Sequence, residues 1–374
     1  MIENLDWRVI IFGAFCLFAL IQIIYYLYFF RRVAFYNLGP EGLYHQQPVS
    51  VIICARDEAA NLAKNLPGVL VQEYSDKQEL VLVNDNSVDE TKYLVEALQK
   101  DFPQLTTLEL KQEAKFITGK KFPLSMGIKS AKYDTVLLTD ADCIPVSEFW
   151  MQKMMSRFQH GAEIVLGYGA YHKRKGLLNK IIRFETFHTG LQYFSYALAG
   201  IPYMGTGRNL AYKKAVFLRN KGFSAHNHLP GGDDDLFINA AATATNTEVV
   251  IDKDAFTLSE PKTTWSEWMK QKKRHFTTSK YYKGKHKFLL GLYAFSHFMF
   301  YPLCIAAAIF YSWPLALGVF ALRLIVQGII LYKAMEKLNE ADLWKWFWAF
   351  DILMFVYYFI FTPALWKKPQ ANWK

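Results

Sequence analysis

Hydrophobic positions along the 374 residues follow two regimes. Residues 7–30 are apolar but for Arg8 and Gln22, enough for the roughly 20 residues that cross a bilayer. Three further apolar stretches, 288–310, 313–332 and 343–366, are separated by a tight Ser312-Trp-Pro turn and a charged loop over 333–342. Between these ends the apolar runs are short. Residues 49–54, 79–83, 105–110 and 135–138 read as strands, and the stretches to about 72, 91–101 and 124–131 read as helices. Fourfold alternation of strand and helix predicts a parallel, doubly wound α/β sheet whose ligands sit in the loops after the strands. The expected organisation is an N-terminal transmembrane anchor (1–32), a linker (33–48), an α/β domain with interfacial helices (49–282) and about three C-terminal transmembrane helices (283–374).

Composition supports the membrane reading, with 52% hydrophobic and 17% aromatic residues. The leader Met1 to Asp6 is acidic, and the long apolar run that follows ends without a small-residue cleavage site, so a retained anchor is expected rather than a signal peptide. Arg31 and Arg32 follow the first span, which puts the N-terminus outside and the middle of the chain in the cytosol. Four scattered cysteines show no disulfide framework. The formal charge of +10 raises nucleic acid as a partner, but the basic excess lies near membrane edges, over 280–287 and at Lys367 and Lys368. Anionic headgroups are therefore the expected partner. Three C-terminal spans would cross out, in and out, leaving Lys367 and Lys368 outside against the positive-inside rule, unless one segment is interfacial or re-entrant. His297, Arg323, Gln327 and Asp351 are costly in lipid and should face other helices or headgroups.

The chemistry concentrates at strand ends. Asp140 and Asp142 follow the 135–138 strand one residue apart, so both carboxylates can face one ligand, and two hard oxygen donors suit Mg2+ or Mn2+ with substrate phosphates. The other loops carry Arg56, Asp57 and Glu58, then Asn84, Asp85, Ser87 and Asp89, then Gly119, Lys120 and Lys121. Any one of these could be helix capping or turn chemistry. Four at the same edge of one sheet point to a ligand site.

In order, the chain carries Val-Ser-Val-Ile-Ile-Cys-Ala-Arg-Asp-Glu (49–58), Val-Asn-Asp-Asn-Ser (83–87), Gly-Lys (119–120), Asp-Ala-Asp (140–142), Gly-Thr-Gly-Arg-Asn-Leu-Ala (205–211), Gly-Gly-Asp-Asp-Asp-Leu-Phe (231–237) and Gln-Lys-Lys-Arg-His (271–275). This set resembles the membrane-bound family 2 glycosyltransferases, which have the GT-A fold, a Rossmann-like nucleotide-diphospho-sugar transferase sheet, and invert the sugar they transfer. The resemblance implies that Ala55, Glu58 and Asp85 hold the nucleotide, with a lean to UDP, and that Lys120 lies near the diphosphate. It implies that Asp142, with Asp140, binds the metal, Asp140 also reaching the sugar or ribose, and that Arg274 contacts the diphosphate. It implies that Asp233 or Asp234 is the catalytic base, and that Gln271, His275, Gly207 and Asn209 lie at the acceptor or interface. Asn84 stands where the family has a carboxylate, Gly232 where it has glutamate, and His275 where processive members have tryptophan.

Between the motifs, residues 172–183 mix basic and apolar positions and fit either a headgroup-level helix or one packed on the sheet; Trp265 and Trp268 read as interfacial anchors. Three or four spans hardly enclose a polymer channel. The expected acceptor is thus a lipid or lipid-linked molecule at the cytosolic face, with a bacterial inner membrane as the expected location and a processive polysaccharide synthase as the alternative. A transporter with a nucleotide-sensing domain is disfavoured by the lack of a Gly-x-x-x-x-Gly-Lys-Ser/Thr loop, and a dead binding module by the intact acidic motifs.

Overall fold

The structure is a computed structural model that describes residues 6–38, 47–111, 117, 119–158 and 161–363. Half of the linker, residues 39–46, and both Lys367 and Lys368 lie outside the described residues.

Strands β1 (Val49–Ala55), β2 (Gln78–Asp85), β3 (Leu105–Leu110) and β4 (Thr135–Leu138) form where the apolar runs predict them. The order β3-β2-β1-β4 is parallel, as expected of a doubly wound half. Beyond β4 the sheet becomes mixed. Antiparallel β8 (Leu210–Lys213) lies next to β4, followed by β6 (Ile164–Leu166) and β9 (Thr247–Val249), to give seven strands. The purely parallel expectation is corrected there. β8 enters from the opposite direction, carrying the 205–209 turn to the strand end where Asp140 sits, and Thr139 Oγ1 donates to the Arg208 carbonyl at 3.0 Å. A second sheet joins β5 (Cys143–Pro145), β10 (Thr257–Ser259) and β7 (Gly169–Tyr171).

Side chains of β1 alternate between two cores, as a period of two requires. Val49, Val51 and Ile53 pack with Leu62 and Leu66 of α3 (Ala59–Leu70, preceding β2) and with Val95 of α4 (Thr91–Asp101). Ile52 packs with Leu124 and Ile128 of α5 (Lys121–Ser130). This second core runs on, without a break, into the apolar helices. It includes Phe184, Phe187 and Tyr196 of α7 (Leu177–Leu198), Tyr293 of α11 (Gly284–Ala307), Leu331 and Met335 of α12 (Trp313–Lys337) and Phe350 of α13 (Phe347–Phe361). The α/β domain and the apolar helices are thus one packed body. α6 (Trp150–Met155) covers the first core, and α8 (Lys214–Arg219), α9 (Asp235–Ala241) and α10 (Trp265–Ser279) complete the domain.

The first apolar helix is continuous over Trp7–Ala34, comprising α1 (Trp7–Ile24), a π-helical turn and α2 (Arg31–Ala34). Gly284–Lys337 and Ala341–Phe361 are the other segments long and apolar enough to cross a membrane. The longer one turns back at Ser312, whose backbone is extended (φ −163°, ψ 112°), and Phe300 then faces Phe320 at 5.8 Å; α11 and α12 form a hairpin, as the Ser312-Trp-Pro signal predicts. α13 does not run to the hairpin's far end. Asp351 meets His297 of α11, Phe355 stacks on Phe298 at 4.9 Å, and Phe361 has reached Trp268 and Phe276 of α10. α13 is long and apolar enough to cross a membrane, and its packing across α11 onto α10 is equally compatible with the interfacial or re-entrant alternative that the charge pattern raises.

Polar residues inside the helices face one another. Arg323 pairs with Asp351, and His297, Gln327, Tyr301 and Gln22 complete a buried network across α1, α11, α12 and α13. α7 is a buried helix packed on the sheet and the apolar helices, the second of the two readings of that stretch. Of the two tryptophans read as anchors, Trp265 is exposed and Trp268 is buried against Tyr357 and Phe361.

Candidate active site

The site forms where four loops converge. Gly119 makes the convergence possible: its φ is +71°, and a Cβ there would lie 2.3 Å from the Pro230 carbonyl oxygen. Only glycine permits this approach of the α5 loop to the acidic loop. Next to it, the buried ammonium of Lys121 donates to the Leu229 and Gly231 carbonyls and staples the acidic loop in place. Burial pushes the Lys121 pKa down.

Lys120 therefore stands between two acidic motifs. Its Nζ is 2.7 Å from Asp140 Oδ1 and 3.2 Å from Asp233 Oδ2. Burial works against the ammonium, but Asp140, Asp233 and Asp234 outweigh it and raise its pKa well above the usual lysine value. Asp140 is held below the carboxylate range because, against its burial, Lys120, Arg208 and Arg274 favour the ionised form. Asp142 shifts the other way, raised by burial and by the charge of Asp140. Ligand atoms of Asp140, Asp142 and Cys143 lie within 4.8 Å of one another. The two carboxylates fit a hard divalent cation; the Cys143 thiol, pushed up by burial and bonded to Ser259 Oγ at 2.9 Å, is a poor ligand for one.

The three aspartates before α9 have different partners. Asp233 is buried against Lys120. Asp234 caps α9, accepting from the Asp235 N–H at 2.7 Å and from the Gly207 N–H at 2.9 Å. Burial and the flanking Asp233 and Asp235 push its carboxyl up to about 7. Asp235 accepts from Thr278 Oγ1 at 2.5 Å and Tyr282 Oη at 2.8 Å, tying the loop to the end of α10. Only the middle carboxylate combines a raised pKa near neutrality with a place on the cavity wall and no hydroxyl partner.

A cavity of about 1420 Å³ runs through the site. That exceeds the roughly 300–1,000 Å³ of a pocket for one small ligand, so two substrates have room side by side. Of the residues singled out in the sequence, Glu58, Lys120, Asp140, Asp142, Gly207, Asp233, Asp234, Gln271, Arg274 and His275 line it. Ala55 and Asp85 do not; they end neighbouring strands beneath the Glu58 loop, where Asp85 accepts from Asn86 Nδ2 at 3.1 Å. Asn209 does not line it either. Its fully buried amide accepts from Trp150 Nε1 at 3.0 Å and donates to the Tyr168 and Ala255 carbonyls, so its expected acceptor role is corrected to that of a strut between the two sheets. Gln271 Nε2 lies 3.5 Å from Tyr171 Oη, and His275 is exposed on the wall.

Three residues escaped the sequence reading. The Arg208 guanidinium sits 4.3 Å over the Tyr171 ring and favours the ionised forms of Asp140 and Asp142. It is one arginine inside a glycine-rich turn, and only the basic residue there signals its role. Glu185 of α7 and Lys272 of α10 form a buried ion pair on the cavity wall, with Tyr357 of α13 donating to Glu185 at 3.2 Å. Nothing local in sequence pairs them.

The profile of glycosyl transferase family 21 matches residues 14–374. Poly-beta-1,6-N-acetyl-D-glucosamine synthase of Staphylococcus aureus (strain COL) is 27% identical over 164 residues, 43% of this chain; the match spans only 38% of that relative. Probable glycosyltransferase YdaM of Bacillus subtilis (strain 168) is 23% identical over 370 residues, 87% of this chain and 81% of that protein. The structure of the mannosyltransferase PcManGT from Pyrobaculum calidifontis, solved with GDP-Man and Mn2+, is similar with a TM-score of 0.57 at 18% identity, covering 96% of this chain and 99% of that one. That likeness establishes the shared fold. The glycosyltransferase and GT-A expectations stand, with 21 rather than 2 as the number of the family whose profile spans the chain: the protein belongs to glycosyl transferase family 21.

Proposed function

We propose that the protein transfers a sugar from a nucleotide-sugar, with inversion, to a hydroxyl of a lipid or lipid-linked acceptor at the cytosolic face of a membrane. One observation carries this reading: the cavity that holds Asp140, Asp142 and Asp234 continues to Leu290, Ala294, Phe295 and Phe298 of α11 and to Tyr358 and Phe359 of α13. A polar reaction centre and an apolar membrane face share one space, which suits an acceptor with a reactive head and a hydrocarbon tail.

In this reading the nucleotide lies over the strand ends at Glu58, with Asp85 below, and the diphosphate lies towards Lys120, Arg208 and Arg274. Asp142, with Asp140, would hold Mg2+ or Mn2+, which supplies charge for the leaving diphosphate. Asp234 accepts the acceptor hydroxyl's proton as that oxygen attacks the anomeric carbon and the bond to the diphosphate breaks. We assign the base to Asp234 rather than Asp233 because Asp233 is engaged by Lys120. Arg31, Arg32 and the basic residues over 280–287 support a cytosolic domain.

The relative that makes poly-beta-1,6-N-acetyl-D-glucosamine favours a second reading, a polysaccharide synthase. Against it, no described residue of α1 or α12 lines the cavity, so among the described residues this cavity does not extend across all the apolar helices. The test is a panel of nucleotide-sugars with purified protein and a membrane lipid extract. Labelled sugar in the lipid fraction supports the first reading, and aqueous polymer supports the second.

A further inference from the structure

We propose that the acceptor's hydrocarbon chain enters sideways from the bilayer between α11 and α13, and that Gly291 and Ala294 set the width of this entrance. The proposal rests on the lipid-acceptor reading. Lys287, Leu290, Gly291, Ala294, Phe295 and Phe298 all line the cavity, and their spacing of three and four puts them on one face of α11. Within that face the two small residues sit between Leu290 and the phenylalanines. A Cβ at Gly291 would meet no atom within 4 Å, so the wall is open there. On either side, Phe295 is 53% and Phe359 69% exposed, in segments of mean hydropathy 2.1 and 1.3. Such rings, facing outward on helices of bilayer length, border lipid chains rather than water.

The opposing wall is held fast. Asp351 ties α13 to His297 and Arg323, and Phe361 packs between Trp268 and Phe276 of α10, so the gap is bounded by anchored helices. A hydrocarbon chain lying against Phe298 and Tyr357 would put its head towards Gln271 and Asp234, which line the same cavity. A glycosylated lipid would leave by the same side into the leaflet it came from, and moving it across the membrane would need a separate translocation step.

The test uses vesicles of phosphatidylglycerol, phosphatidylethanolamine and a membrane lipid extract that contain a phosphatidylcholine with a diazirine at the end of one acyl chain, with the nucleotide-sugar panel and Mn2+ present. Photoadducts on the full-length protein are mapped by mass spectrometry. Adducts are expected on Phe298 and Tyr357, and they should fall at least about tenfold in Gly291→Trp. Ala294→Leu, a milder plug, should lower them too, and Ile305→Trp, on the outward side of α11 (Ile305 is 63% exposed), should not. Sugar transfer to vesicle lipid should fall in parallel with the adducts. Unchanged adducts in both plugged variants, or wild-type adducts confined to outward residues such as Ile305 and Ile309, overturn the proposal. If adducts form at Tyr357 and are plugged as expected while no sugar reaches lipid, the side entrance stands and the lipid-acceptor reading fails.

Discussion

Lys120 Nζ lies 2.7 Å from Asp140 Oδ1, joining the loop before α5 to the end of β4 at the point where a diphosphate is proposed to bind. The same ammonium faces Asp233 at 3.2 Å, so one cation holds two acidic motifs in register. Removing it leaves a cluster of partly buried carboxylates without their counter-charge. Lys120→Met should lower turnover by about 10² to 10³, the range for losing one preorganised electrostatic contact. Nucleotide affinity, measured by calorimetry, should fall with it. Unchanged nucleotide affinity would remove Lys120 from the donor site.

Asp142 and Asp140 offer the paired carboxylates for a divalent ion. EDTA should abolish transfer, and Mg2+ or Mn2+ should restore it. Asp142→Ala should weaken Mn2+ binding, read by paramagnetic resonance, as well as turnover, whereas Cys143→Ser should leave Mn2+ affinity within about twofold, since a protonated thiol contributes little to a hard cation. Full activity of Asp142→Ala would discard the metal assignment.

The carboxyl of Asp234 is pushed up to about 7 by burial and its acidic neighbours. A raised carboxyl pKa means the proton is held below that value and lost above it, and a base works only without it. Turnover should therefore fall with unit slope as pH drops below about 7 and level off above. Asp234→Asn is isosteric but can keep only one of the two N–H contacts, to Asp235 or to Gly207, and should cost about 10² to 10⁴ in rate. A profile flat through neutral pH, or an Asp233→Asn variant that alone abolishes turnover while Asp234→Asn does not, would move the base to Asp233.

Arg323 and Asp351 are buried in the helical bundle and pair directly. Asp351→Leu leaves an uncompensated buried charge and should destabilise the protein by about 3–5 kcal/mol, seen as a lower unfolding temperature in detergent. Arg323→Met combined with Asp351→Leu should recover much of that loss. No recovery would show that the remaining partners, His297 and Gln327, need the carboxylate in its own right.

Much of this architecture is legible in the residues. β1 and β4 are apolar but for Ser50 and Thr135 because they are buried on both faces, and Asp140 and Asp142 follow a strand end of the kind at which open α/β sheets bind ligands. The route of α13 is not legible, because hydropathy reports the length of a segment and not its direction. Asp351 is the residue that draws it across α11. Asn209 sits in a motif and has a motif's look, yet its amide is spent on Trp150 and two carbonyls. Arg208, Glu185 and Lys272 act through partners far along the chain, and pairings at that separation leave no periodic trace.

The central claim is sugar transfer to a membrane-embedded acceptor from a site built on Asp142 and Asp234. The most direct measurement is the partition of label from a panel of nucleotide-sugars, incubated with purified protein, Mn2+ and a membrane lipid extract. Metal-dependent label in the lipid fraction, absent with Asp142→Ala, is the predicted result. Label only in aqueous polymer, or lipid labelling that survives both EDTA and Asp142→Ala, would contradict it.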